Sequence, residues 1–187
     1  MPLSTPARRQ SSHTRVVTCN GYEREDGLWD IEGRIVDTKA LPFSNKDRGG
    51  SIEAGEALHD MSLRLTIDTD MKIHAAEQCT DFSPYNYCQT VEHFCENLIG
   101  QHIGPGWTKM TKIKMGAGKG CTHLTELLIP MATTAFQTLV KAKSTGRTSG
   151  SAHSSPPKIP GFMNSCHALQ VDGPIVKEHW PQFYTAE

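Results

Sequence analysis

The residues best suited to chemistry in this chain fall in three short strings: His59-Asp60, Cys121-Thr122-His123 and Cys166-His167. Imidazole, thiolate and carboxylate together are the donors of a zinc site, or of an iron site shielded from solvent. The same groups can run covalent chemistry, with a thiol as nucleophile, an imidazole as its base and backbone N–H groups holding an oxyanion. Three readings therefore stand. The chain is a metal-binding domain, accessory or catalytic; or a thiol enzyme with Cys121 as nucleophile and His123 or His59 as base; or a non-catalytic interaction module in which these residues only pack.

Cys121 is the leading sulfur because Gly118-Lys119-Gly120 runs into it just where a helical pattern begins. A helix N-terminus carries free N–H groups and partial positive charge, which bias a thiol toward thiolate. His123 is two residues on, about 200° around a helix. The pair can share a ligand only if Cys121 precedes the helix; otherwise each caps or packs separately. His59 falls on the apolar face of a strand, as a core histidine or as a ligand. Asp60 falls on the other face, toward Arg64, where a surface ion pair is the plain reading. Both reach one site only at a bulge or before the strand becomes regular. Cys166 and His167 are adjacent in a predicted strand, so one of them faces any shared site. The candidate metal set is thus His59, Asp60, Cys121, His123 and either Cys166 or His167, with zinc or iron as the ion. Cys19, Cys79, Cys88 and Cys95 read as core thiols.

Several familiar signatures are missing. There is no C-x-x-C, no G-x-S-x-G and no H-E-x-x-H. Gly104-Pro105-Gly106-Trp107 lacks the lysine and the spacing of a phosphate loop and reads as a turn that sets Trp107 against the core.

The elements that must position these residues follow from periodicity. Alternation predicts strands over 14–20, 28–38, 57–67 and 71–79, with the Asp68-Thr69-Asp70 turn between the last two. One face carries Trp29, Ile31 and Ile35, then Ala57, His59, Met61, Leu63, Leu65 and Ile67. Residues 42–55 read as a loop. Cys88, Val91, Cys95 and Leu98, widened by Phe94 and Ile99, predict one helix. Leu124, Leu127, Leu128, Met131, Ala135, Phe136 and Leu139 predict a second over 121–143, kinked or broken at Pro130. The fold class is α+β: an antiparallel β meander against two main helices, with a small C-terminal hairpin annex. The expected organisation is a disordered tail over 1–12, a core domain over 13–143, a flexible linker over 144–161 and an annex over 162–187 that docks on the core.

Composition narrows the partners. The chain has 187 residues and 19 basic against 20 acidic side chains. Balanced charge points to neither nucleic acid nor a membrane surface. No window is apolar enough to span a bilayer and no secretory leader is evident, so a cytoplasmic protein with reduced thiols is expected. A homo-oligomer remains open.

Longer strings resemble a bacterial family known as domain of unknown function 2889. They are Tyr22-Glu23-Arg24-Glu25-Asp26-Gly27-Leu28-Trp29-Asp30-Ile31-Glu32-Gly33-Arg34, Val36-Asp37-Thr38-Lys39, Asp47-Arg48-Gly49-Gly50, Leu58-His59-Asp60-Met61, Gly120-Cys121-Thr122-His123-Leu124 and Cys166-His167-Ala168-Leu169. That resemblance implies no activity. The order of elements is also similar to NifU-like iron–sulfur scaffolds, where His59-Asp60 would fall near the first cysteine and the aspartate and Cys121-Thr122-His123 near the His/Cys pair. Asp81-Phe82-Ser83-Pro84 has no cysteine where the scaffold has one, and the Cys/His order differs. The likeness implies a metal site and not cluster assembly.

Overall fold

Two-residue alternation, clearest in the two central strands, makes long strands, and the computed structural model pairs four of them into one sheet. It describes residues 3–91, 93–116, 118–144 and 159–186. The strands are β1 (His13–Glu23), β2 (Trp29–Lys39), β5 (Ala57–Ile67) and β6 (Ile73–Phe82), ordered β1-β2-β5-β6 and all antiparallel. The predicted loop over 42–55 holds a further hairpin, β3 (Phe43–Asn45) and β4 (Gly50–Ile52), with a 3-10 turn at Lys46–Arg48. Residues 3–12 are exposed and carry no regular element.

One face of the sheet is apolar and the other is charged. Trp29, Ile31, Ile35, Met61, Leu63, Leu65 and Ile67 are all buried in one core. On the opposite face Arg64 bridges Glu32 and Glu77, and Arg34 bonds Asp60. The partner of Asp60 is therefore Arg34, across the strand pair, and not Arg64 on its own strand. Both faces follow from strand alternation.

Helix α2 (Thr122–Ser144) lies on the apolar face, and glycines let it come close. A methyl at Gly33 would meet Met131 Sδ at 2.6 Å, and one at Gly21 would overlap Thr138. Pro130 does not break α2. The missing N–H would have served the carbonyl of Glu126, an exposed residue that water can reach, while the flanking Leu127, Leu128 and Met131 are buried. Phe136 is 48% exposed; Ala132 and Ala142 occupy the inner stripe instead.

Two helical expectations need correction. Residues 88–99 are not one α-helix but two 3-10 turns, Asn86–Thr90 and Phe94–Leu98, because His93 between them is left-handed (φ 55°). Phe94, Cys95 and Leu98 are buried, whereas Cys88 and Val91 are half-buried and Ile99 is exposed, so the apolar spacing located half of the buried stripe and got the helix type wrong. The second main helix is α1 (Trp107–Met115), directly after Gly104-Pro105-Gly106. Its buried Trp107 donates Nε1–H to Leu128 O at 2.9 Å, tying α1 to α2.

The chain divides into two compact units, Met1–Ser149 and Gly150–Glu187. The second is helical rather than a hairpin: a 3-10 turn at His167–Leu169, α3 (Pro174–His179) and a 3-10 turn at Pro181–Phe183. Pro174 opens α3 at its first position, where no N–H is needed. Asn164, left-handed at φ 59°, accepts from Val171 N through Oδ1 and closes the loop that a hairpin reading took for a strand. Most of the predicted linker, 145–158, lies outside the described residues.

Candidate metal centre

Three long elements of the first unit, two strands and a helix, converge at one end of the sheet. β5 brings His59 to the inner face, β2 brings Asp37 beside it, and the first turn of α2 brings His123 over both. His59 Nδ1 lies 3.0 Å from Asp37 Oδ2. The rings of His59 and His123 lie 3.8 Å apart between centroids, tilted by 34°. One ligand atom each from Asp37, His59 and His123 can be chosen so that all lie within 4.8 Å of one another.

Asp37 is the centre of this arrangement. It is fully buried and completes the inner face of β2 after Trp29, Ile31, Gly33 and Ile35. Arg15, its cross-strand partner on β1, donates Nε–H to Oδ1 at 2.7 Å and Nη2–H to Oδ2 at 2.8 Å. The third arm of Arg15 reaches Glu126 on α2 at 2.6 Å. His13 Nε2 lies 3.1 Å from Asp37 Oδ1.

These contacts set the charges. Burial by itself would push the Asp37 carboxyl up, but the Arg15 guanidinium outweighs it, and with His59 holds the pKa down at about 2. His59 is lowered, first by burial and then by the nearby His123, against the pull of Asp37. His123 is lowered by burial and by Arg15, against Asp37 and Glu126. Neutral imidazoles beside an ionised carboxylate are the protonation state a cation needs.

The signs give a pH prediction for metal-free protein. Both histidines titrate lower when folded than the roughly 6.5 of an unfolded imidazole. Their contribution to stability is complete above that value and is lost as pH falls through the folded values. The contribution of Asp37 is complete above roughly 3.9 and is lost as pH falls toward 2. Urea midpoints should hold above about pH 7, decline from about 6.5 and decline again below about 4. A midpoint constant from pH 7 to 5 would contradict the neutral-histidine assignment.

Within the first unit, the structure brings together only part of the strings singled out in the sequence. His59 and His123 come together. Cys121 precedes α2 by one residue, which permits the Cys/His proximity: its Sγ lies 3.8 Å from His123 Nδ1 and 3.5 Å from Met61 Sδ. It stands beside the trio and outside it. Asp60 is on the opposite face with Arg34 at 2.5 Å. Cys166 and His167 belong to the second unit, both exposed, at the start of a 3-10 turn. Of the cysteines read as core thiols, Cys95 is buried, Cys19 and Cys88 are half-buried and Cys79 is exposed, since it falls on the charged face of β6.

Gly120 in the Gly-Cys-Thr-His string has a packing reason. A methyl there would overlap the ring of buried Phe94. Gly120→Ala is expected to lower stability by about 1–3 kcal/mol, the usual cost of overpacking. An unchanged urea midpoint would show that Phe94 yields.

The sequence model of a family described as "Protein of unknown function (DUF2889)" matches residues 13–137. The chain belongs to the DUF2889 family. No curated protein and no solved structure matches it. The DUF2889 match begins at the first residue of β1 and runs well into α2, so it encloses Asp37, His59, Cys121 and His123. Cys166 and His167 lie beyond it. Among the described residues, no helix of this DUF2889 protein is long and apolar enough to cross a membrane.

Proposed function

We propose that this protein binds one divalent transition-metal ion, zinc or iron, through Asp37, His59 and His123. The observation that carries the reading is the convergence of one carboxylate and two imidazoles from three separate elements within 4.8 Å. Two nitrogens and one oxygen suit a borderline ion, and three protein ligands leave a fourth position on a tetrahedral centre. Arg15 hydrogen-bonds the carboxylate, the kind of outer support that orients metal ligands. Asp37 and Glu126 against Arg15 leave one net negative charge, which favours a cation. When bound, the ion would supply Lewis acidity; Asp37 and the histidines would hold it, and Arg15 would fix Asp37.

A second reading has its own observation. Cys121 Sγ lies 3.8 Å from His123 Nδ1, close to the reach a thiol needs from its base. In that reading Asp37 orients His59, and the histidine pair serves the thiol.

Elemental analysis of protein purified anaerobically, with a visible spectrum of the same sample, separates the two. About one zinc or iron per chain is the expected result. Folded protein that never met a chelator and holds no metal, and takes none up on titration, would overturn the metal reading. Iodoacetamide labelling of Cys121 well ahead of the other five cysteines would then favour the thiol.

A further inference from the structure

The four-stranded sheet has two edges, β1 and β6, and they are finished differently. We propose that β1 is an interface between two copies of this chain, which pair edge to edge and antiparallel about a two-fold axis at Thr18.

An edge strand offers a row of main-chain N–H and C=O groups, and folded proteins blunt it with bulges, prolines, lysines or covering segments. β6 is blunted. Its pairing with β5 shifts register twice. Ile73 bonds Gly100 and Gln101, Lys72 bridges His102, and the Gln78 side chain bonds main-chain groups of Val91 and Cys95. β1 has none of these devices. Its eleven residues run beside β2 without a register shift and contain no proline or lysine. The charge of Arg15 does not guard the edge, because Asp37 and Glu126 hold it. Among the described residues, no main-chain bond reaches β1 from any segment but β2. Val16, Val17 and Tyr22 stand exposed along it.

The occupant that fits this edge is a second β1. Two copies share one sheet with their apolar faces on the same side only when odd-numbered residues meet odd and even meet even. An axis at Thr18 pairs the whole strand. His13 then faces Glu23 of the second copy, Thr14 faces Tyr22, Arg15 faces Gly21, Val16 faces Asn20 and Val17 faces Cys19. Opposite charges meet at both ends of the seam, and Arg15 lies diagonal to the same carboxylate; like charges meet nowhere. Moving the axis to Val17 leaves Glu23 beyond the end of the facing strand, and moving it to Cys19 does the same to His13. Because β6 is blunted, the pairing closes as a dimer and does not grow head to tail into a filament.

Sedimentation of the full chain over a dilution series, with amide hydrogen exchange on the same protein, tests the pairing. The expected species has twice the chain mass. All β1 amides should exchange slowly in it, because the alternate N–H groups that β2 leaves free are taken by the second copy. Thr18→Glu should raise the dissociation constant by about tenfold or more, since two carboxylates then face each other across the axis. The fold of that variant should hold: Thr18 is exposed and lies opposite Arg34 on β2. Once dissociated, it should exchange every second β1 amide fast. A parent that sediments as a monomer throughout would overturn the proposal. So would a dimer whose β1 amides alternate between fast and slow, which would put the interface elsewhere, and so would a dimer that Thr18→Glu leaves equally tight. If the variant fails to fold, the exchange pattern of the parent decides alone.

Discussion

Replacing His59 by alanine is expected to abolish stoichiometric metal loading while Asp60→Ala, one residue along, leaves it intact. The two side chains leave β5 on opposite faces: His59 toward Asp37, Asp60 toward Arg34. Loss of even an outer partner costs about 10–100-fold in metal affinity, so loss of a direct ligand should cost at least that. His123→Ala should match His59→Ala, because each supplies one of two imidazoles. Cys121→Ser should change affinity little, since its sulfur stands outside the trio. Competition titrations against a chromophoric chelator would read all four. Equal loss in Asp60→Ala and His59→Ala would mean that the metal signal reports unfolding and not ligation, and a loss confined to Cys121→Ser would move the ion to the thiol.

Asp37→Ala is expected to cost the most stability of any single change at the site, about 3 kcal/mol. Removing one partner of a buried ion pair typically costs about 3–5 kcal/mol, because the other charge stays desolvated. Arg15 is 36% exposed and keeps Glu126, which places the loss at the low end of that range. The histidines lose their acceptor as well. Asp37→Asn preserves the shape and should recover part of the loss while still abolishing metal affinity. Urea unfolding at pH 7 would measure both. A change below about 1 kcal/mol would mean that the Arg15–Asp37 pair contributes no more than a surface bridge does.

Much of the sheet is legible in the sequence because alternation is a local property. Met61, Leu63, Leu65 and Ile67 needed nothing beyond their own strand to be assigned inward. The candidate site was half legible for the same reason. His59 and His123 stand out as histidines at the start of a strand and of a helix. Asp37 was missed, although a signal was there: it continues the inward series Trp29, Ile31, Gly33, Ile35, and a carboxylate on an inward register must have a partner. Arg15 and His13 carry no such mark. They become site residues only through the pairing of β1 with β2, and register between strands is not written in either strand alone. The helix expected over 88–99 failed differently. Spacings of three and four fit 3-10 turns as well as an α-helix, and only the left-handed His93 distinguishes them. In the second unit, the side chain of Asn164 closes a loop by accepting from Val171 N, a bond that alternation along a short polar-apolar string does not reveal.

The glycines beneath α2 act at a distance. Gly33 meets Met131 near mid-helix, and Gly21 meets Thr138 toward the far end. Thr138 is fifteen residues from His123, roughly 22 Å along the axis. A rigid helix seated at those points is a lever whose short tip carries an imidazole. Any bulk added at Gly21 lifts one end and, by tilting the rod, displaces the other. The separation of His123 from His59 is therefore set partly by two residues that never touch either ring. Substitution at those glycines would thus reach the candidate site as well as the packing beneath α2.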